Sequence, residues 1–263
     1  MVAGVHFLPD DPAALVGRKL LRVNLSDLAA MGATPLHYLM TVSAPRDTPD
    51  AWFAGFAAGL AEDQAAFGIT LLGGDTTHTS GPMTLSLTCI GHVAPGGAVR
   101  RVGARAGDEV WVTGTIGDGA LGLLAAQGRL GDPGGVLAGR YRLPQPRLGL
   151  LRPGLVAAAM DVSDGLVQDL GHLARAAGLG AEIEADLVPR SRREAEWLAT
   201  CLTGGDDYEL VMAVRPGSEL AEAAALAGMA VTRIGRFVPG AGVRVLGGDG
   251  AEIALDRAGW SHF

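Results

Sequence analysis

Asn24-Leu-Ser-Asp27-Leu-Ala-Ala-Met-Gly-Ala33 is the stretch around which the chain is organised. It predicts the last turns of a helix over about 12–31, because apolar residues recur there at helical spacing. These residues are Leu21, Leu25, Leu28 and Ala29. Asp27 lies on a different face, within an otherwise apolar segment. A carboxylate there is costly unless a cation or a donor pairs with it, although a solvated or capping aspartate is the ordinary alternative.

Three acid-bearing turns downstream have the same character. Their sequences are Gly73-Gly-Asp75-Thr-Thr77, Asp161-Val-Ser163-Asp164-Gly165 and Gly204-Gly-Asp206-Asp207. In the second turn, Ser163 or Asp164 could cap the helix that follows. Capping accounts for one acid, and two close carboxylates repel each other unless a divalent cation lies between them. Because Mg²⁺ prefers oxygen ligands, the pattern favours a magnesium site.

Composition limits the class of protein. The 263 residues suffice for one large or two ordinary domains. A hydrophobic fraction of 48%, without an apolar run of membrane-spanning length, indicates a globular protein that does not enter membranes. The net charge of −7, with no basic stripe, argues against nucleic acid as a partner. Cys89 and Cys201 lie far apart. They are expected to be free thiols in the cytoplasm, since the chain also begins without an export signal.

Strand and helix patterns alternate in both halves, which predicts an α/β or α+β fold with two domains, 1–98 and 99–263. The boundary lies at the Gly- and Pro-rich linker 94–98. Asp11 and Pro12 are the expected N-cap and first residue of the first helix. The connection over 140–147, rich in Pro and Arg, need not be ordered. The predicted strands are 36–42, a short buried strand at 69–72, 83–93, 109–113, 181–187, a strand ending near 214, 231–237 and a hairpin over 243–255. Further helices are predicted over 49–67 and 218–227, together with one that ends at about 127 and one that begins after 165.

A Gly-rich turn joins strand 109–113 to the next helix, in Gly114-Thr-Ile-Gly117-Asp118-Gly119. Such a turn can present backbone N–H groups to a phosphate, and an ordinary tight turn is an equally good interpretation. It is not a Walker A loop, because Lys19 is the single lysine in the sequence. Neutralisation of a bound phosphate therefore has to come from arginine or a metal ion.

The motifs together resemble those of bacterial thiamine-monophosphate kinases. Matching stretches, in order, are Asn24 to Ala33, Gly73-Gly-Asp75-Thr-Thr77, Arg101-x-Gly-Ala, Asp161-Val-Ser-Asp-Gly-Leu166, Gly204-Gly-x-Asp-Tyr-Glu-Leu210 and Gly259-Trp-x-His-Phe263. The resemblance implies the two-domain fold of the aminoimidazole-ribotide synthetase superfamily, with an N-terminal domain that forms a homodimer through its sheet. It also implies transfer of the γ-phosphoryl group of ATP to thiamine phosphate, with several Mg²⁺ ions.

The resemblance assigns roles to individual residues. Asp27, Asp75 and Asp161 correspond to magnesium ligands, and Asp164 to a ligand of a further magnesium. Gly74, Asp75, Arg101 and Ser163 correspond to ATP contacts, and His6, Asp206 and Trp260 to thiamine-phosphate contacts. No residue is assigned as a general acid or base, because the acceptor phosphate is already largely anionic at neutral pH.

Departures from the family pattern set further expectations. A Gly-Asp-Asp-Ala loop and a Thr-Asp pair precede His6 in the family, and this chain begins after both. We therefore expect a truncated N-terminus, fewer magnesium ions, weak ATP binding and an exposed sheet edge. Asp206 stands where the family has glutamate, and His78 where arginine is usual.

Two other functions stay open at this point. One is another ATP-using enzyme of the superfamily, such as selenophosphate synthetase or a hydrogenase maturation factor, although no cysteine lies near either terminus. The other is a shortened, non-catalytic relative that binds nucleotide or only dimerises.

Overall fold

The computed structural model describes residues 1–261, so His262 and Phe263 of the terminal motif lie outside the described residues. It contains two α/β units, as the sequence predicts. The helices are α1 (Ala13–Ala30), α2 (Asp50–Phe67), α3 (Asp118–Ala126), α4 (Val136–Arg142), α5 (Leu166–Ala176), α6 (Leu198–Thr203) and α7 (Leu220–Leu226). The strands are β1 (Thr34–Ala44), β2 (Thr70–His78), β3 (Thr84–His92), β4 (Glu109–Thr113), β5 (Ala158–Val162), β6 (Gly180–Glu184), β7 (Glu209–Val214), β8 (Val231–Val238) and β9 (Gly242–Leu246).

The first unit is a three-stranded sheet with α1 and α2 packed on one face. Its strand order is β2-β1-β3, with β1 parallel to β2 and antiparallel to β3. The predicted apolar stripe of α1 is buried, with Leu21 and Leu25 at 0% exposure. Asp11 does not cap α1, because the helix begins after Pro12 without a side-chain cap. The Asp11 carboxylate instead accepts hydrogen bonds from the Leu8 N–H and from Arg142 Nε.

The prediction of a short buried strand at 69–72 was wrong. Strand β2 extends through Gly73, Gly74 and Asp75 to His78, and most of its residues are exposed. The reason is its position, since β2 is an edge strand of a small sheet of which only one face is covered by helices.

The second unit is a six-stranded sheet with strand order β5-β7-β4-β8-β6-β9. Helix α5 packs on one face through Leu166, Leu170 and Leu173, all fully buried. The other face packs against α7, the segment 150–156 and the end of α1, where Ala29 and Ala30 belong to the same core. Helix α1 is therefore shared by both units, which places its last turn beside the edge strand β5.

The connection over 140–147 is ordered, contrary to the expectation. Arg140, in the last turn of α4, donates to Glu209 at 2.6 Å, and Arg147 Nε donates to the same carboxylate at 2.6 Å. Because Glu209 is fully buried, two arginines compensate its charge and fix the connection across the second unit. In the described part of the chain, no helix is both long and apolar enough to cross a bilayer.

Candidate active site

Asp27 and Asp161 meet where the two units join. Asp161 lies on β5, in which Ala159 packs toward α1 while Met160 and Val162 pack toward α5. Alternation along the strand therefore turns Asp161 toward the last turn of α1, which carries Asp27. Both carboxylates line a cleft of about 270 Å³. The other lining residues are Ala30, Met31, Val99, Arg100, Arg101, Ala159 and Met160.

The electrostatics of this cleft are those of two crowded acids. Burial and, next in size, the nearby negative charge of Asp27 raise the pKa of Asp161 to about 7. Partial burial also raises the pKa of Asp27, whereas the Arg101 guanidinium opposes that shift. Arg101 thus compensates only part of the negative charge, and the remaining charge favours a bound cation.

The donor set around this pair fits a magnesium ion. Ser26 precedes Asp27, and its buried hydroxyl lies beside the Asp161 carboxylate, where it opposes the rise of that group's pKa. Two carboxylates and an adjacent hydroxyl are hard oxygen donors of the kind that Mg²⁺ prefers. Within residues 1–261 no group of three or more Asp, Glu, His or Cys side chains is placed to hold a metal. The set therefore suits magnesium bound by one or two carboxylates, with water and substrate phosphates supplying the other ligands.

The turn Ser163-Asp164-Gly165 is held by a carboxylate that sequence reasoning missed. Neither Ser163 nor Asp164 caps α5, whose N-cap is Gly165 without a side-chain bond. Instead, Asp169 Oδ2 accepts the backbone N–H groups of all three turn residues, at 2.9, 3.0 and 3.2 Å. The capping interpretation was therefore wrong, and the side chains of Ser163 and Asp164 are not used for capping.

The Gly-rich turn after β4 is an ordinary tight turn whose donors are already bound. The N–H groups of Gly117 and Gly119 donate to Asp207, at 2.7 and 2.8 Å. Burial raises the pKa of Asp207 to about 8, against the effect of these two donors. Because a carboxylate of the same chain occupies the donors, the alternative of a phosphate cradle at these two residues loses its support.

Two of the expected thiamine-phosphate contacts lie on either side of the single lysine. Lys19 Nζ donates to the backbone carbonyl oxygen of His6 at 3.0 Å and to Asp206 Oδ2 at 3.1 Å. The His6 ring accepts the Val2 N–H at Nδ1, which places the proton of a neutral imidazole on Nε2. The lysine therefore brings together one residue from the first half of the sequence and one from the second half.

Trp260, the third expected contact, lies beside the turn that carries Asp164. The backbone N–H of Trp260 donates to the Asp164 carbonyl oxygen at 2.8 Å, and the backbone carbonyl oxygen of Trp260 accepts from Gln168 Nε2 at 2.9 Å. Trp260 is 47% exposed.

Gly74 and Asp75 lie apart from the cleft. Asp75 is paired in register with Thr41 of β1, whose neighbours Met40 and Val42 pack into the core beneath α1 and α2. Alternation therefore places Asp75 on the uncovered face of the sheet. A single chain does not bring Asp75 to the pair formed by Asp27 and Asp161.

The sequence carried a weak signal for the two residues that were missed. Lys19 is the only lysine and lies within an apolar helix, where an unpaired ammonium is costly. Asp169 is an acid in the first turn of α5, a position from which a side chain can reach free N–H groups. Neither pattern identified the partner.

Comparisons with known proteins support the same family. The AIR synthase related N-terminal domain matches residues 1–93, and the corresponding C-terminal domain matches 105–248. A thiamine-monophosphate kinase from Caulobacter vibrioides is 45% identical over 277 residues, covering 100% of this chain and 78% of the relative. The crystal structure of the thiamine-monophosphate kinase from Stenotrophomonas maltophilia K279a has a TM-score of 0.86 at 38% identity, covering 96% of this chain and 84% of that one. AaThiL complexed with AMPPCP and TMP has a TM-score of 0.84 at 30% identity, covering 100% and 85%.

Proposed function

The chain belongs to the thiamine-monophosphate kinase family of AIR synthase related proteins, and from this membership we propose that it phosphorylates thiamine phosphate with ATP. The products are thiamine diphosphate and ADP. The observation that carries the proposal is the cleft in which Asp27, Arg101 and Asp161 converge.

In the proposed reaction, an anionic oxygen of the acceptor phosphate attacks the γ-phosphorus of ATP, and the bond to the β–γ bridging oxygen breaks. Little covalent help is needed for such a transfer, so catalysis consists of alignment and charge stabilisation. We assign Arg101 to the nucleotide phosphates and Ser163, on the turn held by Asp169, to the same nucleotide. The acceptor phosphate is already anionic, so no general base is assigned.

We propose that Asp27 and Asp161 hold one Mg²⁺ and that Asp164 holds a further one. Bound magnesium would neutralise the phosphate oxygens on which negative charge accumulates during transfer. Support comes from the crowding of the two carboxylates, with the Ser26 hydroxyl as a further oxygen donor beside them.

The acceptor is assigned to His6, Asp206 and Trp260. Asp206 offers a carboxylate to a cationic heterocycle, and Trp260 is an aromatic side chain of the kind on which a ring-shaped ligand stacks. The turn 163–165 links the two sides, because its carbonyl groups accept from both Asp206 and Trp260.

We further propose a homodimer formed through the uncovered face of the β2-β1-β3 sheet. Leu39 and Ile90 are 44% and 40% exposed, and both belong to this face by strand alternation. Asp75 also lies there, directly after Gly74 on β2, so the metal and nucleotide contacts assigned to these two residues are proposed to form with a second copy. We keep 1–98 and 99–263 as the proposed domains, and we place the reaction in the cytoplasm because Cys89 and Cys201 are both free thiols.

The test is an assay of the purified chain with ATP, Mg²⁺ and thiamine phosphate, separating the products by chromatography. Thiamine diphosphate and ADP are expected in equal amounts, and omission of Mg²⁺ should abolish both. Asp161→Asn should remove turnover, whereas Glu222→Gln, at an exposed site on α7, should leave it unchanged. ADP release without thiamine diphosphate, or no product at all, would overturn the proposal.

A further inference from the structure

We infer that Lys19 is a positioning residue for acceptor recognition, acting by fixing the Asp206 carboxylate and the His6 backbone on one buried ammonium group. The inference rests on the proposed function, because the acceptor is taken to be thiamine phosphate.

The ammonium group of Lys19 is fully engaged by the protein. The residue is 2% exposed, and Nζ contacts the His6 carbonyl oxygen, Asp206 Oδ2 and the face of the Tyr141 ring, with 3.7 Å to the ring centroid. An ammonium has three N–H donors, and these three acceptors match them in number. Lys19 is therefore not arranged to bind a substrate phosphate directly, so its effect must pass through the groups that it contacts.

Charge compensation ties this lysine to Asp206. Burial lowers the pKa of Lys19, while the charge of Asp206 and its hydrogen bond, followed by the charge of Asp11, oppose that shift. Arg142, which pairs with Asp11 at 2.6 Å, adds a further positive charge nearby. Asp206 is consequently the direct counter-ion of the buried ammonium, and removal of either partner leaves the other uncompensated.

Asp206 is also held from the opposite side. The Tyr208 hydroxyl donates to Oδ1 at 3.2 Å, and the Asp206 N–H donates to the Ser163 carbonyl oxygen at 2.9 Å. Within residues 1–261, Asp206 and Tyr208 are the two non-glycine residues with positive φ, at 72° and 53°. Such strained backbone persists where the surroundings impose it and is concentrated at functional sites.

The arrangement leaves the carboxylate ordered but accessible. Each oxygen of Asp206 has one fixed donor, and the side chain remains 27% exposed. Its remaining lone pairs can accept from a ligand amino group, and its charge can face a cationic ring. Lys19 thus connects α1 and His6, in the first half of the chain, to the Asp206 carboxylate in the second half. It thereby fixes the relative position of His6 and Asp206, two of the residues assigned to the acceptor.

The test compares Lys19→Met with the wild type by calorimetric titration with thiamine phosphate and by kinetics. We expect binding of thiamine phosphate to weaken about tenfold or more, and its KM to rise by a similar factor, while KM for ATP stays within about twofold. Asp206→Asn should have a similar effect, and the double variant should be no worse than Asp206→Asn alone, because both changes remove one interaction. Arg18→Met is the matched control, since Arg18 is the neighbouring cation on α1 and pairs with Glu62 and Asp63 instead.

The outcomes separate the inference from the proposed function. Suppose that the wild type binds thiamine phosphate, that Lys19→Met does not, and that neither protein turns it over. This result would refute the kinase proposal and keep this inference. The inference would be overturned if Lys19→Met bound thiamine phosphate as tightly as the wild type, or if it lost affinity for ATP and for thiamine phosphate equally. It would also be overturned if the wild-type protein bound no thiamine phosphate. If Lys19→Met does not fold, Lys19→Gln, which keeps donors but removes the charge, is measured by the same criteria.

Discussion

Asp63 of α2 is fully buried and accepts two hydrogen bonds from Arg22 of α1, at 2.6 and 3.0 Å. Arg18 Nε donates to the same carboxylate at 3.0 Å. Arg22 also donates to the Pro144 carbonyl oxygen at 3.1 Å, which ties the connection over 140–147 to α1. The helix that carries Asp27 and Lys19 is therefore held by a buried charge network.

Replacing Asp63 with alanine is expected to destabilise the protein by about 3–5 kcal/mol, because the buried Arg22 loses its counter-ion. Glu62→Ala removes an exposed partner of Arg18 and should cost at most about 1 kcal/mol. The free energy of unfolding of both variants is measured by urea titration. Equal losses for the two variants would contradict the assignment of the network's energy to Asp63.

Gly74→Ala should disrupt the pairing of β2 with β1. A Cβ at Gly74 would lie 1.8 Å from the Met40 carbonyl oxygen, whereas a Cβ at Gly73 would have no heavy atom within 4 Å. We expect Gly74→Ala to lose about 2–4 kcal/mol of stability and Gly73→Ala to lose less than about 1 kcal/mol. Thermal unfolding of the two variants and the wild type measures this difference in stability. A Gly74→Ala protein as stable as Gly73→Ala would show that the strands can separate without cost.

The two long helices α1 and α2 were predictable from the sequence, whereas the short helices α4 and α6 were not predicted. The apolar period located α1 and α2 to within one or two residues of their bounds, and Gly68, in the left-handed conformation, follows the end of α2. The exposure of β2 was not predictable, because an apolar run such as Ile69-Thr-Leu-Leu72 does not indicate whether a strand lies at an edge or is covered.

The resemblance supplied the candidate site as a set of residues, but not their arrangement in space. Resemblance pointed to Asp27, Arg101 and Asp161, which the fold brings to one cleft, and also to Asp75, which it does not. The pairing of Lys19 with Asp206 joins residues 187 positions apart. No local pattern encodes such a contact, because it depends on how the two units pack.

Leu39→Lys is expected to convert a dimer of this chain to monomers. Leu39 lies on the uncovered face of the sheet, and a lysine there would bury an unpaired charge between two copies. Leu226→Lys is the control, since Leu226 is 92% exposed on α7 and lies outside that face. Light scattering after size exclusion reports the mass of each variant. The proposed interface would be wrong if Leu39→Lys remained dimeric or if the wild type were a monomer.

Both thiols are expected to react slowly with Ellman's reagent in the folded protein. Burial raises the pKa of Cys89 and of Cys201 to about 12, and only the thiolate is a nucleophile. Raising the pH from 7 to 9 should therefore produce no fast-reacting thiol in the folded protein. Unfolding in guanidinium chloride should make two thiols per chain react quickly. The Cys89→Ala variant retains Cys201, and comparing it with the wild type shows which of the two thiols accounts for any slow reaction. A full equivalent of fast-reacting thiol in the native protein at pH 8 would refute the expected pKa values.

Asp169→Ala should impair nucleotide use through the turn 163–165. Three backbone N–H groups lose their common acceptor, so stability should fall by about 2–3 kcal/mol. Displacement of Ser163 and Asp164 should also lower kcat/KM for ATP by about 10²-fold, the size of effect that a misplacement of about 1 Å produces.

Asp169→Asn separates geometry from charge in this turn. Its amide oxygen can still accept the three N–H groups, so kcat/KM for ATP should stay within about tenfold of the wild type if the acceptor geometry is what matters. Arg175→Ala, at an exposed position of the same helix, controls for general effects on α5. Equal losses in the alanine and asparagine variants would mean that the negative charge of Asp169, rather than its position as acceptor, supports the site.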